Sequence, residues 1–475
     1  MPNGLDSFLY KFCSRIYDAI RDYKRIIVVT HTDADGLVSG SILTKAIVRE
    51  GGRCLLRCVS DLTQNVLASI ADEEHDLYIF TDLGAGLADA IDEHIGKGKG
   101  KEWLIIDHHQ LPEHEMYDDR VCNAWKFNID GGKEACAGTM AYKVAHKLNP
   151  RNEDLSALAV VSMVADRQDQ GERKSLLGLN AEVAEIARRI GLLSIDMDIM
   201  LVGRETRAVH EALAYTSYPY IDGLTWNADS CYSLLTSTGL RLKDDGRWRT
   251  VAELSSEEKS MIIDAIARYT SLNGSKANTI VDELIGYVYT LVREDKKSML
   301  RDAREFSNLL NACARIGKPS VGIAICLGDR SSMLKEGESI VNEYRKTLRW
   351  YITSIMNNER WRISDHGSLI IVNGDALITQ DMLGAVSSLL SGVHTFQGKV
   401  LVVKTNTNDG TYKFSARKCI NCSIDVNLGL LMRECSSKCN GTGGGHDAAA
   451  GARISANMLD EFVECIRNAI NKQQQ

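Results

Sequence analysis

The sequence lacks any long hydrophobic run. None of its apolar stretches approaches the ~20 residues that a helix needs to span a bilayer. The N-terminus, Met1-Pro2-Asn3-Gly4, does not have the pattern of a signal peptide. These absences exclude a membrane-spanning protein and predict a cytoplasmic one.

The chain also lacks the positive charge that is typical of proteins binding nucleic acid. Its 56 lysine and arginine residues are outnumbered by 63 aspartate and glutamate residues, which gives a net charge of −7. With 44% hydrophobic and 25% charged residues, the composition is that of an ordinary globular protein. The length of 475 residues predicts two or three domains.

Two common catalytic arrangements are missing as well, since the sequence has no P-loop and no Ser-His-Asp or Cys-His arrangement. It has instead apolar runs at residues 26–30, 76–81 and 103–106, which are typical of buried strands in a parallel sheet. In an open α/β sheet the ligand site lies beyond the carboxyl ends of the strands. The side chains that follow the three runs are His31, Asp33 and Asp35, then Asp82, then Asp107, His108 and His109.

The order of predicted elements indicates three parts. Strands and helices alternate over residues 25–110, which predicts a doubly wound parallel sheet in a domain of residues 1–185. Residues 186–336 are mainly helical and form an insertion with its linker. Residues 337–475 contain a connecting helix and a smaller α/β domain. The predicted fold class is therefore α/β, with a mainly helical insertion between the two sheet domains.

Five motifs in this order resemble the DHH phosphoesterase superfamily, and within it the archaeal RecJ-like nucleases, including the GINS-associated nuclease. The resemblance covers nearly the whole chain. The motifs are His31-x-Asp33-x-Asp35-Gly36, Thr81-Asp82-Leu83-Gly84, Asp107-His108-His109, Ala165-Asp166-Arg167-Gln168-Asp169, and the segment from Gly443 to Ala452.

Carboxylate and imidazole ligands indicate hard divalent ions, with Mn²⁺ favoured and Mg²⁺ possible, rather than thiolate-bound zinc. The resemblance implies two such ions, with Asp82 as the ligand shared between them. The implied ligands are His31 and Asp33 for one ion, and Asp35, His108 and Asp166 for the other.

The resemblance also implies which residues meet the phosphates of the substrate. His109 would face the scissile phosphate as an acid or as a charge-stabilising group, and Asp107 would orient the histidine pair from behind. The residues implied in nucleic-acid binding are Ser415 and Arg417 of a Ser-x-Arg motif, together with Gly443, Gly444, Gly445 and His446 followed by a helix of small residues.

Two local patterns have alternative interpretations. The helix that opens at Ala137-Gly138-Thr139 has small residues at its N-terminus, which either bind an anion or simply allow a tight start. The thirteen cysteines are expected to be reduced thiols. Four of them have zinc-ligand spacing, although two of the four also fall on one helix face. These four are Cys419, Cys422, Cys435 and Cys439.

The sequence therefore predicts a metal-dependent exonuclease acting on single-stranded DNA or RNA in replication or repair. One alternative is a phosphodiesterase for short oligonucleotides or cyclic dinucleotides. The other is a replisome scaffold with weak catalysis. The insertion is either a structural lid or, as the resemblance implies, a docking platform for GINS or other replisome proteins.

Overall fold

The computed structural model describes residues 4–216, 218–272, 277–407 and 409–472. Its internal contacts divide the chain into two units, Met1–Val341 and Asn342–Gln475. The N-terminal segment that was found to lack a signal-peptide pattern includes residues 1–3. These three residues lie outside the described residues. Among the described helices, none is both long and apolar enough to cross a bilayer.

A five-stranded sheet forms the centre of the first unit. Its strands are β1 (Arg25–His31), β2 (Arg53–Val59), β3 (Leu77–Thr81), β4 (Glu102–Asp107) and β5 (Val121–Asn123). They lie in the order β2-β1-β3-β4-β5, and all neighbouring strands are parallel. The strand order reverses between β1 and β3, which is where sheets of this kind bind their ligands. The predicted doubly wound parallel sheet is confirmed.

Helices cover both faces of this sheet. They are α1 (Leu5–Arg21), α2 (Ala34–Arg49), α3 (Gln64–Ala71), α4 (Ala88–Ile91), α5 (Ala137–Leu148), α6 (Ser156–Ala165) and α7 (Gly178–Arg189). One face packs on α3 and α4, and the other contacts α2 and α5. The main contact of α1 is with α5. The helix α6 is buried on nearly all sides.

The insertion has its own hydrophobic core. Its elements are β6 (Leu193–Ile199), α8 (Val209–Tyr215), α9 (Ala228–Ser237), β7 (Lys243–Asp244), β8 (Arg247–Trp248), α10 (Ser256–Leu272), α11 (Ala277–Leu284) and β9 (Ile285–Leu291). Strands β6 and β9 pair antiparallel and form a ribbon at its base, which the sequence analysis did not predict. The helix α10 begins with a capping box, because Ser255 and Glu258 each accept a hydrogen bond from the other's backbone N–H.

After the ribbon, α12 (Ala303–Arg315) and α13 (Pro319–Leu327) pack against α2 and α6. Glu305 on α12 holds the start of the insertion. Its buried carboxylate accepts hydrogen bonds from the Glu205 backbone N–H at 2.7 Å and from the Thr206 hydroxyl at 2.6 Å. Burial, reinforced by Asp302, raises the pKa of Glu305 to about 7.

This raised pKa predicts a pH dependence of stability. Between about pH 4.5 and pH 7 the folded protein keeps a proton on Glu305 that the unfolded chain has released. The contribution of Glu305 to the free energy of unfolding is therefore greatest below pH 4.5 and is lost as the pH rises to 7. The Glu305→Gln variant keeps an acceptor oxygen and should lack this loss in denaturant titrations across that range. The exposed control Glu182→Gln should follow the wild type, and equal pH profiles for both variants would contradict the assignment.

The second unit is built on a mixed six-stranded sheet. The elements are α14 (Ser332–Thr353), which begins in the first unit, β10 (Ile363–Asp365), β11 (Leu369–Asn373), α15 (Leu383–Leu390), β12 (Val400–Asn406), β13 (Thr411–Lys418), α16 (Leu428–Lys438), β14 (Thr442–Gly445), β15 (Ala449–Ser455) and α17 (Leu459–Lys472). The strand order is β10-β11-β12-β13-β15-β14. One face packs on α15 and the end of α14, and the other on α16 and α17.

The expected helix of small residues after His446 is wrong, because this segment is strand β15. Its side chains alternate between half-buried and buried positions, and Ala450, Ala452 and Ile454 point into the core. An alternating pattern satisfies a strand and would leave a helix without a continuous apolar face. The three glycines before His446 likewise form the edge strand β14 rather than an open loop.

The expectation of reduced thiols is wrong for one pair. Cys435 on α16 forms a disulfide with Cys465 on α17, where the two helices pack together. A set of four cysteine ligands including Cys435 therefore cannot form. Cys419, Cys422 and Cys439 are free thiols, and no potential metal-ligand group in the described residues includes a cysteine.

Candidate metal centre

The predicted metal ligands of the first unit converge at the carboxyl end of its sheet. β1 delivers His31, β3 is followed by Asp82, and β4 ends in the Asp107–His109 triplet. The chain turns directly into α2 after β1, so the motif's remaining acids lie at the start of that helix. Asp166 arrives from a different direction as the C-terminal cap of α6. All of these residues belong to the one unit.

His31, Asp33 and Asp82 form a first group whose ligand atoms lie within 4.8 Å of one another. The His31 Nδ1 atom lies 3.1 Å from Asp33 Oδ2 and 3.6 Å from Asp82 Oδ2. The other oxygen of Asp33 accepts a hydrogen bond from the Gly36 N–H at 2.9 Å and caps α2. Asp33 therefore has one oxygen fixed by the fold and one that faces the group.

Asp35, His108 and Asp166 form a second group of the same size. The His108 Nδ1–H donates to the Gly131 carbonyl at 2.6 Å, which leaves Nε2 to face Asp35 Oδ2 at 3.6 Å and Asp82 Oδ1 at 3.4 Å. This hydrogen bond fixes the tautomer that a metal-binding imidazole needs. Asp166 Oδ2 lies 3.7 Å from the same histidine's Nδ1.

Asp82 lies between the two groups. Its Oδ1 atom faces His108 of the second group, and its Oδ2 atom faces His31 of the first. The residue is 3% exposed and has a left-handed backbone, with φ of 59°. Oδ2 is buried without a hydrogen-bond partner in the described chain. A buried carboxylate oxygen of this kind is costly unless something else pairs with it.

These residues fit divalent cations. Burial raises the pKa of Asp35, of Asp82 and of Asp166 to about 6 each, and neighbouring carboxylates add to the rise. Crowded carboxylates, oriented imidazoles and an unpaired buried oxygen together are the donor set that hard divalent ions require. Whether each residue is a ligand remains a prediction, and the structure brings all six candidates together: His31, Asp33, Asp35, Asp82, His108 and Asp166.

The N-terminus of the helix that begins at Ala137 binds a negatively charged group of the protein itself, the Asp35 carboxylate. The Ala137 and Gly138 N–H groups donate to the two oxygens of Asp35 at 3.0 and 2.9 Å. Ser162 on α6 donates a short hydrogen bond to the same carboxylate. The N-terminus of α5 thus favours the charged form of Asp35 and fixes its orientation.

Asp107 and His109 form a hydrogen-bonded pair at the edge of the site, and together with Asp82 and His108 they make a third group of potential ligands. Asp107 is 1% exposed, and its Oδ1 accepts a hydrogen bond from His109 Nδ1 at 2.8 Å. Its other oxygen accepts from the Ala85 N–H at 2.9 Å. Burial lowers the pKa of His109, but the Asp107 carboxylate outweighs it and raises the pKa to about 9. His109 is therefore an imidazolium at neutral pH, held at Nδ1 and 61% exposed in its side chain.

Gln168 supports the second group, and the sequence analysis did not single it out. Its fully buried amide nitrogen donates to the Asp166 carboxylate at 2.8 Å and to the Gly131 carbonyl at 2.8 Å. The same carbonyl holds His108. The Gln168 carbonyl in turn accepts from Asn180 at 2.6 Å. The Gln168 amide therefore fixes two of the predicted ligands. It holds Asp166 directly, and it holds His108 through the Gly131 carbonyl.

We expect Gln168→Ala to weaken the second group only. Loss of an outer hydrogen-bond partner typically lowers metal affinity by about 10- to 100-fold. Calorimetric titration with Mn²⁺ should then show one weakened binding step and one unchanged step. The exposed control Gln170→Ala, two residues away, should leave both steps intact. Two unchanged steps in Gln168→Ala, with normal circular dichroism, would contradict this role.

The candidate nucleic-acid residues of the second unit lie side by side on three strands. Ser415 on β13 is opposite Gly451 on β15, which is opposite Gly444 on β14. Ser415 is buried and shares a hydrogen bond with the Ser387 hydroxyl at 2.8 Å, which links β13 to α15. The Arg417 guanidinium donates to the Ser388 hydroxyl at 3.1 Å. The remaining candidates, Gly443, Gly445 and the exposed His446, follow along the edge strand and its turn.

Three family models match successive parts of the chain. The DHH family N-terminal domain matches residues 25–166, the DHH-CID domain residues 201–285, and the DHHA1 domain residues 367–472. The chain belongs to the DHH superfamily. The first match contains the motifs that supply both ligand groups, and the DHH-CID match lies between the two strands of the β6–β9 ribbon.

Known proteins resemble this DHH chain over nearly its whole length. An uncharacterised protein of Methanocaldococcus jannaschii is 28% identical, over 96% of this chain and 95% of its own. The structure of RecJ from Thermus thermophilus with Mn²⁺ is similar with a TM-score of 0.60 and 15% identity over 98% of this chain. This chain spans only 55% of that RecJ. CDC45 from Entamoeba histolytica is similar with a TM-score of 0.62 and 11% identity, over 97% of this chain and 99% of its own. At these identities the two structures show a shared fold.

Proposed function

We propose that this protein is a metal-dependent exonuclease that hydrolyses single-stranded DNA or RNA in replication or repair. The observation that carries the proposal is Asp82, whose two oxygens face two separate groups of carboxylate and imidazole ligands. The RecJ with a similar fold contains Mn²⁺, which favours manganese here, with magnesium as the second choice. A scaffold without catalysis would have no need to maintain buried, mutually repelling acids at this cost in stability.

The ligand assignment follows the two groups. His31, Asp33 and Asp82 would hold one ion, and Asp35, Asp82, His108 and Asp166 would hold the other. When bound, a pair of divalent ions supplies Lewis acidity to the attacking water and to the phosphodiester. The helix N-terminus behind Asp35 and the Gln168 amide keep the protein's oxygens and imidazoles in place for this.

His109 is proposed as the residue that acts on the phosphate. Its Nδ1–H is held by Asp107, so the proton on Nε2 is the one that can be donated. An imidazolium at this position would stabilise the negative charge of the phosphate and protonate the leaving oxygen. Asp107 is then a positioning residue, since its hydrogen bonds within the described part of the chain are with His109 and with backbone N–H groups.

The same proposal assigns a separate role to each of the three parts of the chain. Residues 1–185 hydrolyse the phosphodiester, residues 186–336 form the insertion with its linker, and residues 337–475 hold the nucleic acid. In the last part, Arg417, His446 and the glycines of β14 are proposed to contact strand phosphates one at a time. The Gly444 position is open, because a side chain there would meet nothing within 4 Å.

Digestion of end-labelled strands tests the activity. Single-stranded DNA and RNA, each labelled at either end, would be incubated with Mn²⁺, Mg²⁺ or EDTA. We expect stepwise release of label from one end with Mn²⁺ and none with EDTA. Cleavage of short oligonucleotides or cyclic dinucleotides alone would favour the small-substrate alternative. No metal-dependent cleavage of any strand would overturn the nuclease proposal in favour of the scaffold.

The insertion is proposed to bind a protein partner, a GINS subunit or another replisome protein, and not to take part in catalysis. It has its own core and is attached through the β6–β9 ribbon, and its DHH-CID match and the CDC45-like fold support an association with replication proteins. A variant in which a short linker replaces residues 200–284 should digest short strands at the wild-type rate and lose partner binding in pull-down. Loss of hydrolysis with the remaining fold intact would show that the insertion belongs to the active site.

A further inference from the structure

A crevice of about 290 Å³ lies beside the C-terminal half of α2. Its walls come from α2, the start of α6, the base of the β6–β9 ribbon and the end of α13. Lys45 marks its position on α2, about 15 Å along the helix axis from Asp35 at a rise of 1.5 Å per residue. The crevice is therefore separate from the candidate metal centre, although both are built on the same helix.

The acids that line the crevice are already paired. Asp154 forms a two-pronged ion pair with Arg49, with both N–O distances 2.7 Å. Glu294 forms the same kind of pair with Arg330, at 2.9 and 2.7 Å. Two-pronged pairs of this geometry are the strong ones among exposed ion pairs. These carboxylates are therefore not available to neutralise a further cation.

Two cations of the crevice have no such partner. Lys45, which is half-buried, and Arg293, which is exposed, make no hydrogen bond or ion pair within the described part of the chain. Burial lowers the pKa of Lys45, and the nearby Arg49 and Arg330 lower it further, while Asp154 partly opposes them. The rim of the crevice thus carries two positive charges that have no ion-pair partner among the described residues.

The remaining lining is apolar. Leu155, Leu192, Leu291 and Phe306 are each less than 10% exposed, and Leu158 is half-buried beside them. An inorganic anion would leave this surface uncovered, and a purely apolar molecule would leave the two cations unpaired. The lining suits a small molecule that has a flat or apolar body and one charged group at its end.

We propose that this crevice binds a nucleoside monophosphate, with the phosphate at Lys45 and Arg293 and the base on the leucine and phenylalanine surface. The volume of about 290 Å³ lies at the lower end of the range for small-molecule sites, which fits a ligand the size of one nucleotide. This identification rests on the proposed function, because stepwise hydrolysis releases mononucleotides. A nucleotide here would contact α2, whose first turn contains Asp35, and the β6–β9 ribbon that carries the insertion, so product binding would affect both elements.

Binding to the metal-free protein tests the proposal. In EDTA the carboxylates of the metal centre repel phosphate, so a nucleotide that binds then is held elsewhere. Calorimetry with AMP and the full-length chain should give a Kd below about 1 mM. Lys45→Met combined with Arg293→Met should raise that Kd at least about tenfold, as expected for the loss of a charge-assisted contact. Lys147→Met, an exposed lysine on α5, is the control and should bind AMP as the wild type does.

The chemical identity of the ligand is tested by measuring the binding of its two components, the nucleoside and the phosphate, separately. Adenosine and inorganic phosphate should each bind at least about tenfold more weakly than AMP, because each occupies half of the crevice. No binding of AMP in EDTA, equal binding by the double variant, or equal affinity for phosphate alone would each overturn the proposal. Because this experiment contains no hydrolysis, its failure would leave the nuclease assay with Mn²⁺ to decide the proposed function separately.

Discussion

The rate of hydrolysis by the Asp82→Asn variant is expected to fall by more than about a hundredfold. A hundredfold is the upper end of the effect of removing a residue that only supports a metal ligand, and Asp82 is proposed to be a ligand itself. Asparagine keeps the shape of the side chain and removes its charge. Because Asp82 is proposed to serve both ligand groups, one substitution should loosen both ions. End-labelled single strands with Mn²⁺ provide the measurement.

The Asp82→Asn variant should be more stable than the wild type without metal and should gain less stability when metal is added. Burial and the charges of Asp33 and Asp35 raise the pKa of Asp82 to about 6, so at pH 7 the metal-free folded state contains a carboxylate that is disfavoured there. Without metal, Asp82→Asn should therefore unfold at a higher temperature than the wild type. At a Mn²⁺ concentration 100 times the Kd, each bound ion stabilises the wild type by about 2.7 kcal/mol, and the variant should gain much less.

A matched control separates these effects from a general loss of acidity. Asp89 lies seven residues after Asp82 and its side chain is 92% exposed. Asp89→Asn should change neither hydrolysis nor the gain in stability from Mn²⁺. If Asp82→Asn cleaves single strands as well as the wild type does, the bridging role is wrong and the scaffold becomes the better interpretation.

The sheet and the position of the site could be predicted because both depend on local pattern. A β-branched run such as Ile26–Val29 is a strand wherever it is buried, and parallel strands bring their carboxyl ends to one edge. The residues after β1, β3 and β4 had to meet for this reason alone. Asp166 was different, because it comes from the end of a buried helix, and only the resemblance of its motif placed it in the site.

The support behind the ligands could not be predicted from local pattern. Gln168 reaches Asp166 and the Gly131 carbonyl, and this contact joins segments that are 37 residues apart in sequence. The partners of Asp35 on α5 and α6 are about a hundred residues away from it. The one available signal was the motif from Ala165 to Asp169, which contains Gln168 without showing its role.

Two predictions for the C-terminal part of the chain, a helix after His446 and reduced thiols throughout, were wrong for a related reason. The segment from Ala448 to Ala452 consists of small residues, which fit a helix or a strand equally well by size. Its pairing partner, β13, lies more than thirty residues earlier, and that pairing decides the outcome. The Cys435–Cys465 bond was missed in the same way, because only the packing of α16 on α17 brings the two sulfurs together.

His109→Ala should separate binding from turnover. The imidazole is held at Nδ1 by Asp107 and is proposed to face the phosphate. It also falls in a third group of potential ligands with Asp82, Asp107 and His108, but it belongs to neither of the two groups that are proposed to hold the ions. Stabilisation by Mn²⁺ and affinity for a single strand should therefore stay close to those of the wild type. Turnover should fall by about 10²- to 10⁴-fold, which is the usual contribution of a positioned acid. The exposed His114→Ala is the control and should remain fully active.

The role of Asp107 gives a sharper test, because it acts through the pKa of His109. That pKa is raised to about 9 by the carboxylate against the effect of burial. Asp107→Asn removes the charge, so the pKa of His109, followed by NMR of the labelled imidazole, should fall by at least one unit. If His109 works as an acid, the activity of Asp107→Asn should then decline at a lower pH than that of the wild type. A changed pKa with an unchanged pH profile would assign His109 to charge stabilisation by its position alone, and an unchanged pKa would show that Asp107 does not control it.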